Sequence, residues 1–278
     1  MPEALVSTQW LADHLQAPDV RVVDATWFLP GTDRDARAEY EAAHIPGAVF
    51  FDLDAVCEAR GLHPHMVPSD AKFSSRVRKL GLGDGSRIVI YDDNRFFASA
   101  RVWWLFRLMG HEDVMVLDGG LAKWRAEDRP LTDQPNRPRE RHFTVRQNTL
   151  LLRELDQMRA NLTSRREQVV DARSAGRFHA SEPEPRQGLR SGHIPGARNL
   201  HYAQLVAEDG SLKSAVELRR LLAEAGLDLG QPITTSCGSG VSAALINLAL
   251  FELGARNAAL YDGSWSEWGA QADTPIAR

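Results

Sequence analysis

The strongest constraint on this 278-residue chain is an internal repeat. "VVDATWF" at 22–28 returns as "VVDARSAGRF" at 169–178, and "AHIPGAVFF" at 43–51 returns as "SGHIPGARNL" at 191–200. "SRIVIYDD" (86–93) pairs with "QPITTSCG" (231–238), and "VLDGGLAKW" (116–124) with "LYDGSWSEW" (260–268), so the offset stays between 144 and 149 residues. A period that long marks a duplicated globular domain closing its own core, not a solenoid unit. The expected organisation is a first domain over 1–127, a linker over 128–148 and a second domain over 149–278. At the junction, "EDRPLTDQPNRPRERHF" carries three prolines and many charges, which disfavour helix and keep the segment in water.

Within each copy, short Val/Ile-rich runs alternate with helical patterns. The runs are 20–24, 87–91 and 114–117, then 169–171, 233–236 and 258–261. Such alternation predicts βαβ units, hence an α/β fold with a mainly parallel sheet flanked by helices in each domain. Helices are expected over 98–109 and 241–253, with apolar residues at helical spacing and Gly110 and Gly254 at their C-terminal caps.

Composition narrows the partners. The net charge is −4, with no global cationic field, so neither a nucleic acid nor an anionic membrane is an expected partner. No run approaches a membrane span, and "MPEALVSTQWLADHL" lacks the basic-then-apolar pattern of a secretory signal. Two cysteines, Cys57 and Cys237, are too few for a disulfide framework, and a cytoplasmic protein with free thiols is expected.

The two copies differ where their central strands end. Aligning Ile88 with Ile233 sets Asp92 opposite Cys237, at the carboxyl end of a strand, where open α/β sheets bind ligands. Only the second copy has a nucleophile, so the first is expected to be catalytically inactive. In "CGSGVS", Gly238 and Gly240 are expected to turn with positive φ and gather N–H groups into an anion nest. A helix starting near Val241 adds its positive end, and such surroundings favour thiolate over thiol. Cys57, in "LDAVCEARG", has neither feature and reads as structural.

The paired "HIPGA" segments, the duplicated "DG…W" ends and "CGSGVSA" together resemble the tandem rhodanese family of sulfurtransferases over essentially the whole chain. The neutral loop is similar to that of the branch using 3-mercaptopyruvate; the thiosulfate-preferring branch carries basic residues there. The resemblance implies two rhodanese-like domains, a site at the interface of the inactive and active domains, a persulfide on Cys237, and no cofactor or metal. It implies 3-mercaptopyruvate as donor and thioredoxin, a small thiol or cyanide as acceptor. Arg177 and Arg186 match the family's substrate-binding arginines, with Gly238, Gly240, Val241 and Ser242 completing the binding loop. "FDLDAVCEARGLHPHMVP" matches the segment that supplies Asp54 and His65 to a proton relay with Ser239. Ser242 replaces the usual threonine but keeps a hydroxyl for hydrogen bonding in the first helical turn.

Three rivals fit less well. Cysteine-dependent phosphatases of related fold need an arginine where this chain has Ala243. Thiosulfate sulfurtransfer remains an alternative donor chemistry, and a passive persulfide carrier would not need two arginines to hold an oxoacid. "HPH" lacks the partners of a metal site.

Overall fold

A computed structural model describes residues 3–60, 63–256 and 258–278, apart from the side chain of Arg60. The chain forms two compact units: Met1–Cys57, Pro68–Asn148 and Ala207–Leu212 in the first, and Glu58–Val67, Thr149–Val206 and Lys213–Arg278 in the second.

In the first unit the strands are β1 (Leu5–Val6), β2 (Val20–Asp24), β3 (Val49–Phe50), β6 (Arg87–Tyr91) and β7 (Val114–Leu117), where β4 (Glu58–Arg60) and β5 (His63–Met66) belong to the other unit. They form one sheet in the order β1-β7-β6-β2-β3, parallel throughout. In the second unit β8 (Leu152–Arg153), β9 (Gln168–Asp171), β10 (Arg198–Asn199), β11 (Ile233–Ser236) and β12 (Ala259–Tyr261) form the parallel sheet β10-β9-β11-β12-β8. Strand for strand this is the same order, with β4 and β5 adding an antiparallel pair. The central strands read as apolar runs because a sheet covered on both faces buries alternate residues equally. All of β7 and β12 is buried, for example.

The helix Ser99–Leu108 follows β6, and Ala243–Glu252 follows β11. Each is buried at nine of its ten residues, so the single apolar face expected from spacing is in fact burial all round. Gly110 (φ 88°) and Gly254 (φ 95°) lie just past their ends in the left-handed conformation that glycine admits.

The grouping of the units departs from a simple division at 128–148. Asp262, of the second "DG" motif, accepts the Val67 N–H at 2.7 Å, and Asp118, of the first, accepts the Leu212 N–H at 2.8 Å. Each unit thus anchors a short segment that lies nearer the other in sequence.

Candidate functional site

The register of the central strands fixes the site. β9 and β11 pair with Ser236 beside Asp171, so Cys237 leaves the sheet next to the residue that begins "DARSAGRF". The first unit has the same register, with Tyr91 beside Asp24 and Asp92 following.

Cys237 is buried, and its loop is tied down through its own backbone. The Cys237 carbonyl accepts from Trp265 N–H at 2.9 Å and the Gly238 carbonyl from Ser266 N–H at 2.8 Å. The Cys237 N–H donates to Ser264 Oγ at 3.1 Å, and that hydroxyl donates to the Tyr261 carbonyl at 2.8 Å. Ser264 holds φ at 48°, a left-handed conformation in which a non-glycine residue is strained. Gly120 stands at the equivalent place in the first unit, with φ 56°. Sequence reading missed Ser264; the signal available was a serine where the first copy has glycine.

Of the two loop glycines, Gly240 takes the expected positive φ, 76°, but Gly238 does not. What favours glycine at 238 is close approach. A Cβ there would lie 3.1 Å from an Arg177 guanidinium nitrogen and 3.7 Å from one of Arg186. Two cations from one segment therefore converge on the residue after the cysteine. Arg186 also donates to Ser239 Oγ at 3.4 Å. Val241 and Ser242 are buried, and helix Ala243–Glu252 begins directly after them, bringing its partial positive charge to the loop. Contrary to expectation, the Ser242 hydroxyl makes no capping bond: its backbone is already helical (φ −70°, ψ −20°), which turns the side chain away from the free N–H groups.

A buried charge cluster supports the arginines. Arg177 heads an ion pair to Glu184 at 2.6 Å, and Glu184 is shared with Arg173, also at 2.6 Å. Arg173 in turn binds the Asp171 carboxylate at 2.6 Å and sits over the Trp265 ring, 4.4 Å from its centroid. Burial works against the Arg173 charge, but Asp171 and Glu184 outweigh it and hold its pKa above the ordinary value. For Arg186, burial prevails and lowers the pKa; the Cys237 charge opposes that and Arg177 adds to it. Tyr202 borders the same space: burial and then the Cys237 charge raise its pKa, while Arg177 lowers it. His201 is lowered by burial and by Arg177. Sequence reading missed Arg173, Glu184, Tyr202 and His201. At the positions of His201 and Tyr202 the first copy has Asp52 and Leu53, a difference that was open to inspection.

Cys237, Ser239, Arg177 and Arg186 are thus brought together. His65 belongs to the same unit, buried on β5 with φ 61°. Asp54 belongs to the first unit, where its carboxylate accepts from Trp27 Nε1 at 2.9 Å. Among the described residues there is no cluster of His, Cys, Asp or Glu that could hold a metal ion, and no helix is long and apolar enough to cross a membrane. Neither Cys57 nor Cys237 is in a disulfide.

A model of the rhodanese-like domain matches residues 7–127 and again 154–271. The chain is 41% identical over 271 residues to the 3-mercaptopyruvate sulfurtransferase of Homo sapiens, covering 95% of this chain and 91% of that protein. It is 43% identical over 276 residues to the thiosulfate sulfurtransferase of Cricetulus griseus, covering 97% and 93%. Among solved structures it is similar to SseA from Escherichia coli, described as a 3-mercaptopyruvate sulfotransferase with the rhodanese fold. That match has a TM-score of 0.87 and 38% identity over 95% of this chain and 99% of the other.

Proposed function

The chain belongs to the rhodanese family through both of its halves, and from that premise we propose that it is a 3-mercaptopyruvate sulfurtransferase acting through a persulfide on Cys237. In the donor step the Cys237 thiolate attacks the sulfur of 3-mercaptopyruvate. The carbon–sulfur bond breaks, its electron pair passes to the departing enolate, and the proton from the donor thiol ends on carbon, leaving pyruvate and Cys237 persulfide. An acceptor thiol then attacks the outer sulfur and leaves as a persulfide, restoring the Cys237 thiolate. Thioredoxin, a small thiol or cyanide would serve as acceptor.

Arg186 and Arg177 bind the donor's carboxylate and ketone, a task suited to a planar fork of N–H donors. Gly238 leaves room for both, and Gly240, Val241 and Ser242 shape the loop in front of the helix. Ser239, held by Arg186, and His65 handle the proton that leaves the donor thiol. Two cysteines outside any disulfide are in keeping with a reducing compartment such as the cytoplasm.

The observation that carries this reading is the convergence of two guanidiniums on Gly238, beside a buried cysteine in a loop without a cation of its own. Identity to thiosulfate sulfurtransferase is equally high, so thiosulfate is the second candidate donor. Single-turnover pyruvate release from 3-mercaptopyruvate, set against sulfite release from thiosulfate, separates them. Mercaptopyruvate is expected to be the faster donor, and Cys237→Ser to lose at least about a thousandfold with either. Faster sulfite release reverses the donor assignment, and an active Cys237→Ser removes the persulfide.

A further inference from the structure

Glu184 has no assigned part in donor binding, yet its position governs the charge of the space beside Cys237. Its carboxylate is 1% exposed and lies between Arg173 and Arg177, at 2.6 Å from each. Arg173 is also paired with Asp171, and all three of these side chains are essentially out of water. Two guanidiniums and two carboxylates therefore cancel within the cluster. Arg186 feels the charges of Glu184 and Arg177 but is not ion-paired into the cluster: among the described residues it forms no ion pair, its polar contact being Ser239 Oγ. Although both arginines reach Gly238, Arg186 is the one of the two without a carboxylate ion-paired to it, and it feels the charge of Cys237.

We infer that Glu184 is a specificity-determining residue that leaves the donor pocket a single guanidinium without a paired carboxylate and so selects monoanionic sulfur donors over dianionic ones. The inference rests on the sulfurtransferase reading above. At neutral pH 3-mercaptopyruvate carries one charge, on its carboxylate, whereas thiosulfate carries two. A dianion facing one unpaired guanidinium leaves one negative charge without a partner away from bulk water, and the Cys237 thiolate repels it more than it repels a monoanion; the monoanion is matched by Arg186. Without the Glu184 charge, Arg177 becomes a second free cation and the match moves to the dianion.

The test is kcat/KM for both donors in wild type, Glu184→Gln and Glu184→Asp, at low and high salt. In Glu184→Gln the ratio of thiosulfate to mercaptopyruvate is expected to rise at least tenfold, equivalent to about 1.4 kcal/mol. The change should lie mainly in KM for thiosulfate and shrink as salt screens the added charge. Glu184→Asp, which keeps the charge, should hold the wild-type ratio. A purely structural Glu184 would slow both donors alike, and an unmoved ratio overturns the inference. Should Glu184→Gln fail to fold, Arg173→Gln removes a cation from the same cluster and leaves Arg177 with an excess of carboxylate; the ratio of thiosulfate to mercaptopyruvate must then fall at least tenfold, and an unmoved ratio there also overturns the inference. A wild type that releases neither pyruvate nor sulfite sinks the sulfurtransferase reading itself, whereas an active wild type with an unmoved ratio in Glu184→Gln sinks only the role of Glu184.

Discussion

In the first unit the residue after the central strand is Asp92, and its carboxylate collects four N–H groups of its own loop. Asn94 and Phe96 donate to Oδ1 at 3.2 and 3.0 Å, and Ala98 and Ser99 to Oδ2 at 3.0 and 2.8 Å. In the second unit that residue is Cys237, and two guanidiniums stand over the next position. The neighbouring strand repeats the contrast. Asp24 has Thr26 two residues on, whose N–H it accepts at 2.8 Å, while Asp171 has Arg173 and a buried ion pair. One scaffold therefore holds two electrostatic designs. An anion cradle filled by the chain's own carboxylate is closed to ligands, and one that exchanges the carboxylate for a thiol and cations is suited to an incoming anion.

Three substitutions break or sharpen this contrast, and the largest effect is expected at Asp92. Asp92→Ala would orphan three buried N–H groups and a part-buried one, each buried group worth about 1–3 kcal/mol, so the first unit should lose about 4 kcal/mol or more. Denaturant unfolding measures it, and a loss under about 1 kcal/mol would mean that the carboxylate does not hold the loop. Next comes Asp24, whose pKa burial pushes up to about 6, against which its hydrogen bonds from Thr26 act only in part. Because the folded-state value lies above that of the unfolded chain, the folded protein binds this proton more tightly. The resulting stabilisation is fully present below about pH 4 and is lost as the pH rises through about 6, roughly 3 kcal/mol in all. Asp24→Asn should remove that slope and stabilise the protein at neutral pH; unfolding midpoints at pH 4.5 and 7.5 that keep the wild-type difference would refute it. The smallest effect belongs to the second unit. Arg186→Ala should lower kcat/KM for 3-mercaptopyruvate at least about tenfold, through loss of one partner of a desolvated charge pair. Steady-state kinetics that do not change would make Arg186 an ordinary loop charge.

What could be read beforehand follows a physical rule. The runs at 20–24, 87–91, 114–117 and 233–236 are strands of full length buried on both faces, and composition alone reveals them. β1, β3, β8 and β10 are two residues long, too short to show any period, and "EARGLHPHM" is too polar to suggest β4 and β5. In the site, Cys237, Arg177 and Arg186 were legible because their side chains carry the chemistry themselves. Glu184, Arg173 and Ser264 act by holding other groups, so they become visible only when folding sets them at hydrogen-bonding distance. The contrast of Asp171 and Arg173 with Asp24 and Thr26 was already present in the two copies, but no chemistry in the residues singled it out.

The segments captured by Asp262 and Asp118 bear on how such a chain is made. Val67 leaves the ribosome 195 residues before the carboxylate that receives it. At about 5–20 residues per second that is a wait of roughly 10–40 s. Leu212 is likewise made 94 residues after Asp118, so the first unit is still incomplete when most of its own sheet has been synthesised. Neither unit has all of its segments within one half of the duplication, and a gene split at the repeat boundary would give each product a sheet without its borrowed segment. Completion of each unit therefore depends on chain made in the other half, whatever the independence of the two copies in sequence.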